Sequence, residues 1–220
     1  EFSHWGLIVK NMFHFDSYGT NPETTLLFRG YPPFTAIFEY FFLQMQQTFI
    51  EWDIIIAMNI LYSSLLLPIF YSIDWKKGLD KLLIYVPLLF IVPTIFNKDF
   101  YTTIYVDTIL GVFMAYILYA YFFYKEEKVK YISIGLGIIA LPLIKSAGTG
   151  LAILILLIIL VDLLCYKKIN KTDKANRKKY ILILGIILLC LLLGKYSWDI
   201  HLKINNTSEA WDTSSITFEN

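Results

Sequence analysis

The stretch "LLFRGYPPFTAIFEYFF", residues 26–42, decides how this chain is read. A cation, Arg29, and a rigid Tyr31-Pro32-Pro33 step lead into a run of aromatics that holds one carboxylate, Glu39. Such a run either begins a membrane crossing or lies beside the membrane. Periodicity separates the two. Phe34, Ile37, Phe38, Phe41, Phe42, Met45, Phe49 and Trp52 share one helical face, and Thr35, Glu39, Gln44, Gln46, Gln47 and Glu51 fill the opposite arc. A lipid-spanning helix has no use for so clean a separation, whereas an interfacial helix requires it. The sequence predicts an amphipathic helix over 34–52, lying on the membrane.

The first fourteen residues repeat the pattern. Phe2, Trp5, Ile8, Val9, Met12 and Phe13 make an apolar stripe, with Ser3, His4, Lys10, Asn11 and His14 off it. Two interfacial helices are thus expected to flank a polar turn, "DSYGTNPETT" (16–25). The chain has neither a signal peptide nor a start Met before them, and its last residues, "NNTSEAWDTSSITFEN", close no recognisable element. The expectation is a part of a longer protein.

Composition fixes the class. Of 220 residues, 57% are hydrophobic and 17% charged, with a mean hydropathy of +0.57. That is too apolar for a soluble domain of this size, and the long apolar runs broken by short charged ones fit an all-α polytopic membrane protein. About six transmembrane helices are expected, near 53–73, 80–97, 106–124, 131–146, 150–166 and 180–196. Pro68, Pro87, Pro93 and Pro142 fall inside these runs, which membrane helices tolerate. The runs are continuous rather than alternating, which disfavours barrel strands. The two cysteines, Cys165 and Cys190, sit in apolar runs and read as buried thiols without a disulfide.

Loop charge sets the sidedness. Segments 74–81, 125–130 and 167–179 hold 13 of the 19 Lys and Arg residues, which makes them cytoplasmic by the positive-inside rule. The chain then divides into an external loop (1–52), a transmembrane region (53–196) and an external C-terminal segment (197–220). The net charge of +1 is distributed loop by loop and does not suggest a nucleic-acid partner.

Three short motifs, in order and on matching sides, resemble a known family. "EFSHWGLIVKNM" (1–12) followed by "YPPF" (31–34) resembles the first external loop of integral-membrane GT-C glycosyltransferases, in particular their protein mannosyltransferase and aminoarabinose transferase branch. "TIYVDTILGVF" (103–113) places Asp107 at the outer end of a span, and "LPLIKSAGTG" (141–150) places Lys145 at an outer turn. The family loop opens Asp-Glu, so Glu1 matches its Glu and the catalytic Asp would immediately precede this chain. Ser3 and Tyr31 depart from the pattern, standing where aminoarabinose transferases commonly carry basic residues.

The resemblance implies a cell-membrane enzyme with an extracytoplasmic site. It would transfer a sugar from a polyprenyl-phosphate donor to a glycan, lipid or protein acceptor. Glu1 and Asp107 are then the expected catalytic acids, and His4, Tyr31 and Lys145 the expected substrate-binding residues. A cation or divalent metal ion would offset the phosphate charge, although the sequence names no metal ligands. Plainer readings stand beside these. Asp107 suits a helix N-terminus and Lys145 can snorkel. Arg29 and Lys10 suit lipid headgroups. His4 and His14 lack metal-ligand spacing. Glu39 and Glu51 read as solvated, and Asp162 as paired with nearby lysines or snorkelling. The alternative function is a multi-span transporter of a lipid or polar solute, whose sites lie on broken helices near mid-membrane.

Overall fold

The structure, a computed structural model, describes residues 5–24, 26, 28–45, 48–71, 83, 87, 90–91, 93–95, 97–166 and 174–207. All regular elements among the described residues are helical. They are α1 (Trp5–Phe15), α2 (Phe34–Leu43), α3 (Glu51–Tyr71), α4 (Val106–Phe123), α5 (Glu127–Ile144), α6 (Gly148–Val161, continued by a π-turn at Asp162–Tyr166) and α7 (Lys174–Ile204). They fall into two compact units. One holds α1, α2 from Thr35, α3 and the start of α4; the other holds Gly30–Phe34, α4 from Phe113, and α5 to α7.

Four helices are long and apolar enough to cross a membrane: Glu51–Ile69, Val106–Phe123, Gly148–Cys165 and Arg177–Ile204. They correspond to four of the six expected spans. Their exposed surface carries large apolar side chains, among them Leu157, Leu160 and Val161 on α6 and Ile181, Leu182, Leu189 and Leu193 on α7. Contiguous apolar surface of this extent is unstable in water and stable in lipid. The expected span at 131–146 is a helix, α5, but Glu127, Lys128 and Lys130 occupy its first turn. The remaining apolar part rises about 21 Å, short of a hydrocarbon core of roughly 30 Å. Of the expected span at 80–97, residues 83, 87, 90–91 and 93–95 are helical, and the remainder apart from 97 lies outside the described residues. The boundary expected at 196 falls inside α7, which runs on to Ile204.

In the first unit, α1 buries Ile8, Val9 and Met12 and exposes Lys10 and His14. It ends at Asp16, whose φ of 49° is the left-handed turn that commonly stops a helix. The Asp16 N–H donates to Met12 O at 2.9 Å, and the Asp16 carboxylate accepts from the Tyr40 hydroxyl on α2. The polar turn that follows bonds to itself: Thr24 Oγ1 donates to Gly19 O and Asn21 O, and the Asn21 amide donates to Ser17 Oγ. Arg29 reaches back to Thr20 O at 2.8 Å, and the Lys10 ammonium lies 5.8 Å from the Phe49 ring centre. Both cations expected at lipid headgroups have partners within the protein.

The expected continuous helix over 34–52 is two elements. The ten residues of α2 end at Leu43, and Glu51 opens α3. One part of the expected polar face is placed differently. Thr35, Ala36, Glu39 and Leu43 are buried, while Ile37, Phe41 and Met45 are exposed, Phe41 by 63%. Of the expected polar arc, Thr35 and Glu39 are buried, whereas Gln44 and Glu51 are exposed.

In the second unit, α5 packs on both α6 and α7 and is the helix most enclosed by protein, with Ile134, Ile138, Leu141 and Ile144 fully buried. Two glycines allow the approach. A Cβ on Gly194 of α7 would meet the Ile139 carbonyl oxygen at 2.6 Å and Pro142 Cγ at 2.9 Å. A Cβ on Gly137 of α5 would meet Ile117 Cγ1 at 2.5 Å. Small residues at such crossings let helix backbones come close where lipid offers no hydrophobic drive. At the lysine-rich end, Tyr121 donates to Asp162 at 2.6 Å and Lys179 pairs with Glu127. Asp162 thus has the Tyr121 hydroxyl as a partner. At its other end α7 stops with Asn206 at φ 49° and the Thr207 N–H bonded to Leu202 O, a left-handed cap.

The two glycines should respond differently to a methyl group. Gly194→Ala collides with backbone, which cannot rotate away, and should cost about 1–3 kcal/mol. Gly137→Ala collides with a side chain and should cost less. Thermal unfolding in detergent reads both, and equal midpoints for the two variants would contradict this account of the crossing.

Candidate functional site

Asp107 is the sequence-expected acid that the structure describes in most detail. It is exposed in the first turn of α4, where the helix dipole favours a negative charge. Its neighbour Thr108 fixes that turn. Thr108 Oγ1 donates to Tyr105 O at 2.7 Å, so its hydroxyl proton is committed there. The contact between Tyr62 and Thr108, 2.6 Å between oxygens, must then have Tyr62 as donor. A directed chain runs from α3 through Tyr62 and Thr108 to the backbone before α4. The loop ahead of it is tied to the same face of α3. Asn59 Nδ2 donates to Tyr101 O at 2.8 Å, and the Phe100 ring lies 4.6 Å from that of Tyr62. Asp107 is therefore a solvent-facing carboxylate on a well-fixed turn.

Behind this turn lies a group the sequence reading placed in water. Glu39 is 3% exposed, and among the described residues no hydrogen bond or ion pair reaches its carboxyl. Tyr62 is near enough to feel its charge. Burial pushes the Glu39 carboxyl well above the usual carboxylate range, because the low-dielectric interior penalises the charged form. α2 itself, about 15 Å long, is too short to cross a membrane. A lone Glu on a polar arc gave no sequence signal of burial, since the pattern fixes which residues share a face and not which way that face turns.

In the second unit, the Tyr-Pro-Pro step is held from α7. The buried Trp198 indole N–H donates to Gly30 O at 2.9 Å, and the Trp198 ring stacks on His201 with centroids 4.7 Å apart. Phe34 meets Phe113 edge to face at 5.3 Å. Pro32 and Pro33 are buried, and Tyr31 is half-buried with its hydroxyl turned inward. Lys145 caps α5: its N–H donates to Leu141 O, and its carbonyl accepts from Gly148 N–H at 2.8 Å, closing a tight turn into α6. Its side chain is half-buried. Trp198 and His201 were not among the expected site residues, because the span was expected to end at 196. A tryptophan just past an apolar run was the available signal.

Glu1 and His4 lie outside the described residues. Among the described residues no three His, Cys, Asp or Glu side chains gather as metal ligands. Comparisons with protein families, curated proteins and solved structures find no match for the chain.

The Trp198 bond to Gly30 carries a testable consequence. Trp198→Phe keeps the aromatic body but removes the donor, leaving a buried carbonyl short of its partner at a cost of about 1–3 kcal/mol. Tryptic cleavage between Arg29 and Gly30 should quicken about tenfold as the step opens more often. An unchanged cleavage rate would show that the indole N–H does not hold this segment.

Proposed function

We propose that the chain is the membrane-embedded part of a glycosyltransferase that moves a sugar from a polyprenyl-phosphate donor to a glycan, lipid or protein acceptor on the extracytoplasmic face. The observation that carries this reading is Asp107, a solvent-exposed carboxylate on the opening turn of a helix able to cross a membrane. A lipid-linked sugar phosphate keeps its headgroup at the end of such helices. A carboxylate there is available to an acceptor arriving from water.

In the transfer, a lone pair on the acceptor oxygen or nitrogen attacks the anomeric carbon. The bond from that carbon to the phosphate oxygen breaks, and polyprenyl phosphate leaves with the electron pair. The acceptor's proton passes to a base. The family resemblance gives that role to the acid pair to which Glu1 would belong, with Asp107 orienting the acceptor or holding a metal ion. The same resemblance assigns His4, Tyr31 and Lys145 to the donor, with Lys145 as the cation opposite phosphate. The accompanying topology has six crossings, with α5 as a short one covered by protein rather than lipid. Residues 1–52 and those beyond the last crossing then face outward.

Asp107→Asn keeps the shape and removes the charge. In the full-length enzyme, inserted normally and supplied with its lipid-linked sugar, transfer should fall at least about tenfold, equivalent to about 1.4 kcal/mol of transition-state stabilisation. Unchanged turnover would reduce Asp107 to a helix-end acid. Sidedness is tested separately by an impermeant thiol reagent on intact cells, at positions that are exposed in the structure. Glu23→Cys should be modified and Lys178→Cys protected. The reverse pattern would invert the topology and move Asp107 to the cytoplasmic side.

A further inference from the structure

α5 and α7 start at the same end of the second unit and run side by side. Glu127 meets Lys179 at that end, a Cβ on Gly135 would meet Cys190 Sγ at 3.4 Å further along, and Gly194 lies against Ile139 and Pro142 beyond that. α6 packs on both helices and so covers one side of the seam between them. Ile134 and Ile138 on α5 and Ile187 and Leu191 on α7 are buried and belong to the covered side. A helix turns about 100° per residue, which puts Ile132 and Leu136 on the opposite flank of α5 and Leu182, Ile186 and Leu189 on the opposite flank of α7. All five are exposed. The two exposed flanks therefore border one open, apolar seam.

Its head is cationic. Lys128 stands one turn before Ile132, and Lys178 one turn before Leu182. Both lysines are exposed, and among the described residues neither has an ion-pair or hydrogen-bond partner. Lys125, Lys130 and Arg177 add charge at the same end. Of the acids there, Glu127 is taken by Lys179, Asp162 accepts from Tyr121, and Glu126 is in solvent.

We propose that this seam binds one anionic glycerophospholipid, with its phosphate at Lys128 and Lys178 and its acyl chains along Ile132, Leu136, Leu182, Ile186 and Leu189. The apolar flank begins about 6 Å along the axis from the lysines, the rise of one helical turn. A phosphodiester joined to two acyl chains has the same order of charge and hydrocarbon over the same length. Free phosphate would meet the lysines and leave the flank bare. A zwitterionic lipid would cover the flank but bring its own cation to the lysines, whereas each lysine at a membrane surface favours an anionic headgroup. The site requires a bilayer but not sugar transfer, and it holds for either orientation of the chain.

Native mass spectrometry of the full chain, released from detergent micelles, tests this with phosphatidylglycerol and phosphatidylcholine of identical acyl chains. One phosphatidylglycerol should stay bound per chain, retained at least about tenfold more than phosphatidylcholine. Lys128→Gln with Lys178→Gln should abolish that preference. Lys98→Gln with Lys203→Gln, which removes equal charge from exposed positions elsewhere, should keep it. A phosphatidylglycerol with a photoreactive diazirine on its acyl chain should label residues 132–136 and 182–189 more than Leu157, Leu160 and Val161 on the exposed face of α6. Equal retention of the two lipids, a preference that survives in the Lys128 and Lys178 variant, or equal labelling of α6 and the seam would overturn the site. So would a dimer of the chain that excludes the lipid.

Discussion

The bilayer is the constraint on which the described architecture depends. Leucine and isoleucine side chains on α3, α6 and α7, and Phe122 and Phe123 on α4, point away from the protein, and in water that surface would be unstable by roughly 25 cal/mol for each Å² exposed. Lipid removes this penalty and imposes another, because it offers no hydrogen bonds to the backbone. Helices meet that demand within each segment. The absence of any strand among the described residues has the same cause.

With apolar surface at no premium inside the membrane, contact between helices depends on close fit. The second unit shows how it is reached. Gly194 brings α7 against the backbone of α5, and Gly137 makes room for Ile117. α5 sits among its neighbours, with Ile134, Ile138, Leu141 and Ile144 fully buried. Proline in its last turn, Pro142, is buried there against Gly194. The charged first turn is left at the end of the helix, where Glu127 meets Lys179 across to α7.

Polar groups inside the units are mostly arranged in short bonded sets. Asp162 takes the Tyr121 hydroxyl, Asn59 holds the loop before α4, and Trp198 holds the Tyr-Pro-Pro step. Each set joins elements far apart in the chain and fixes a turn or a helix end. Other buried polar atoms, Asp53 Oδ2, Thr103 Oγ1 and Thr149 Oγ1, are enclosed without such a bond among the described residues.

Length and hydropathy by themselves determined the class and located four of the spanning helices, three of them to within a few residues at both ends, because a bilayer selects runs of about twenty apolar residues whatever surrounds them. They also placed Asp107 at a helix start, since an acid ahead of an apolar run complements the helix dipole. Tertiary structure decided the rest. The segment 44–50 contains neither proline nor glycine to mark the break between α2 and α3. The reach of α7 to Trp198 and His201 depended on a partner 168 residues away. Periodicity grouped Thr35 with Glu39 and Ile37 with Phe41, but a helical pattern is symmetric under rotation about its own axis. Only the packing of α2 against its neighbours determined which of the two faces would be enclosed.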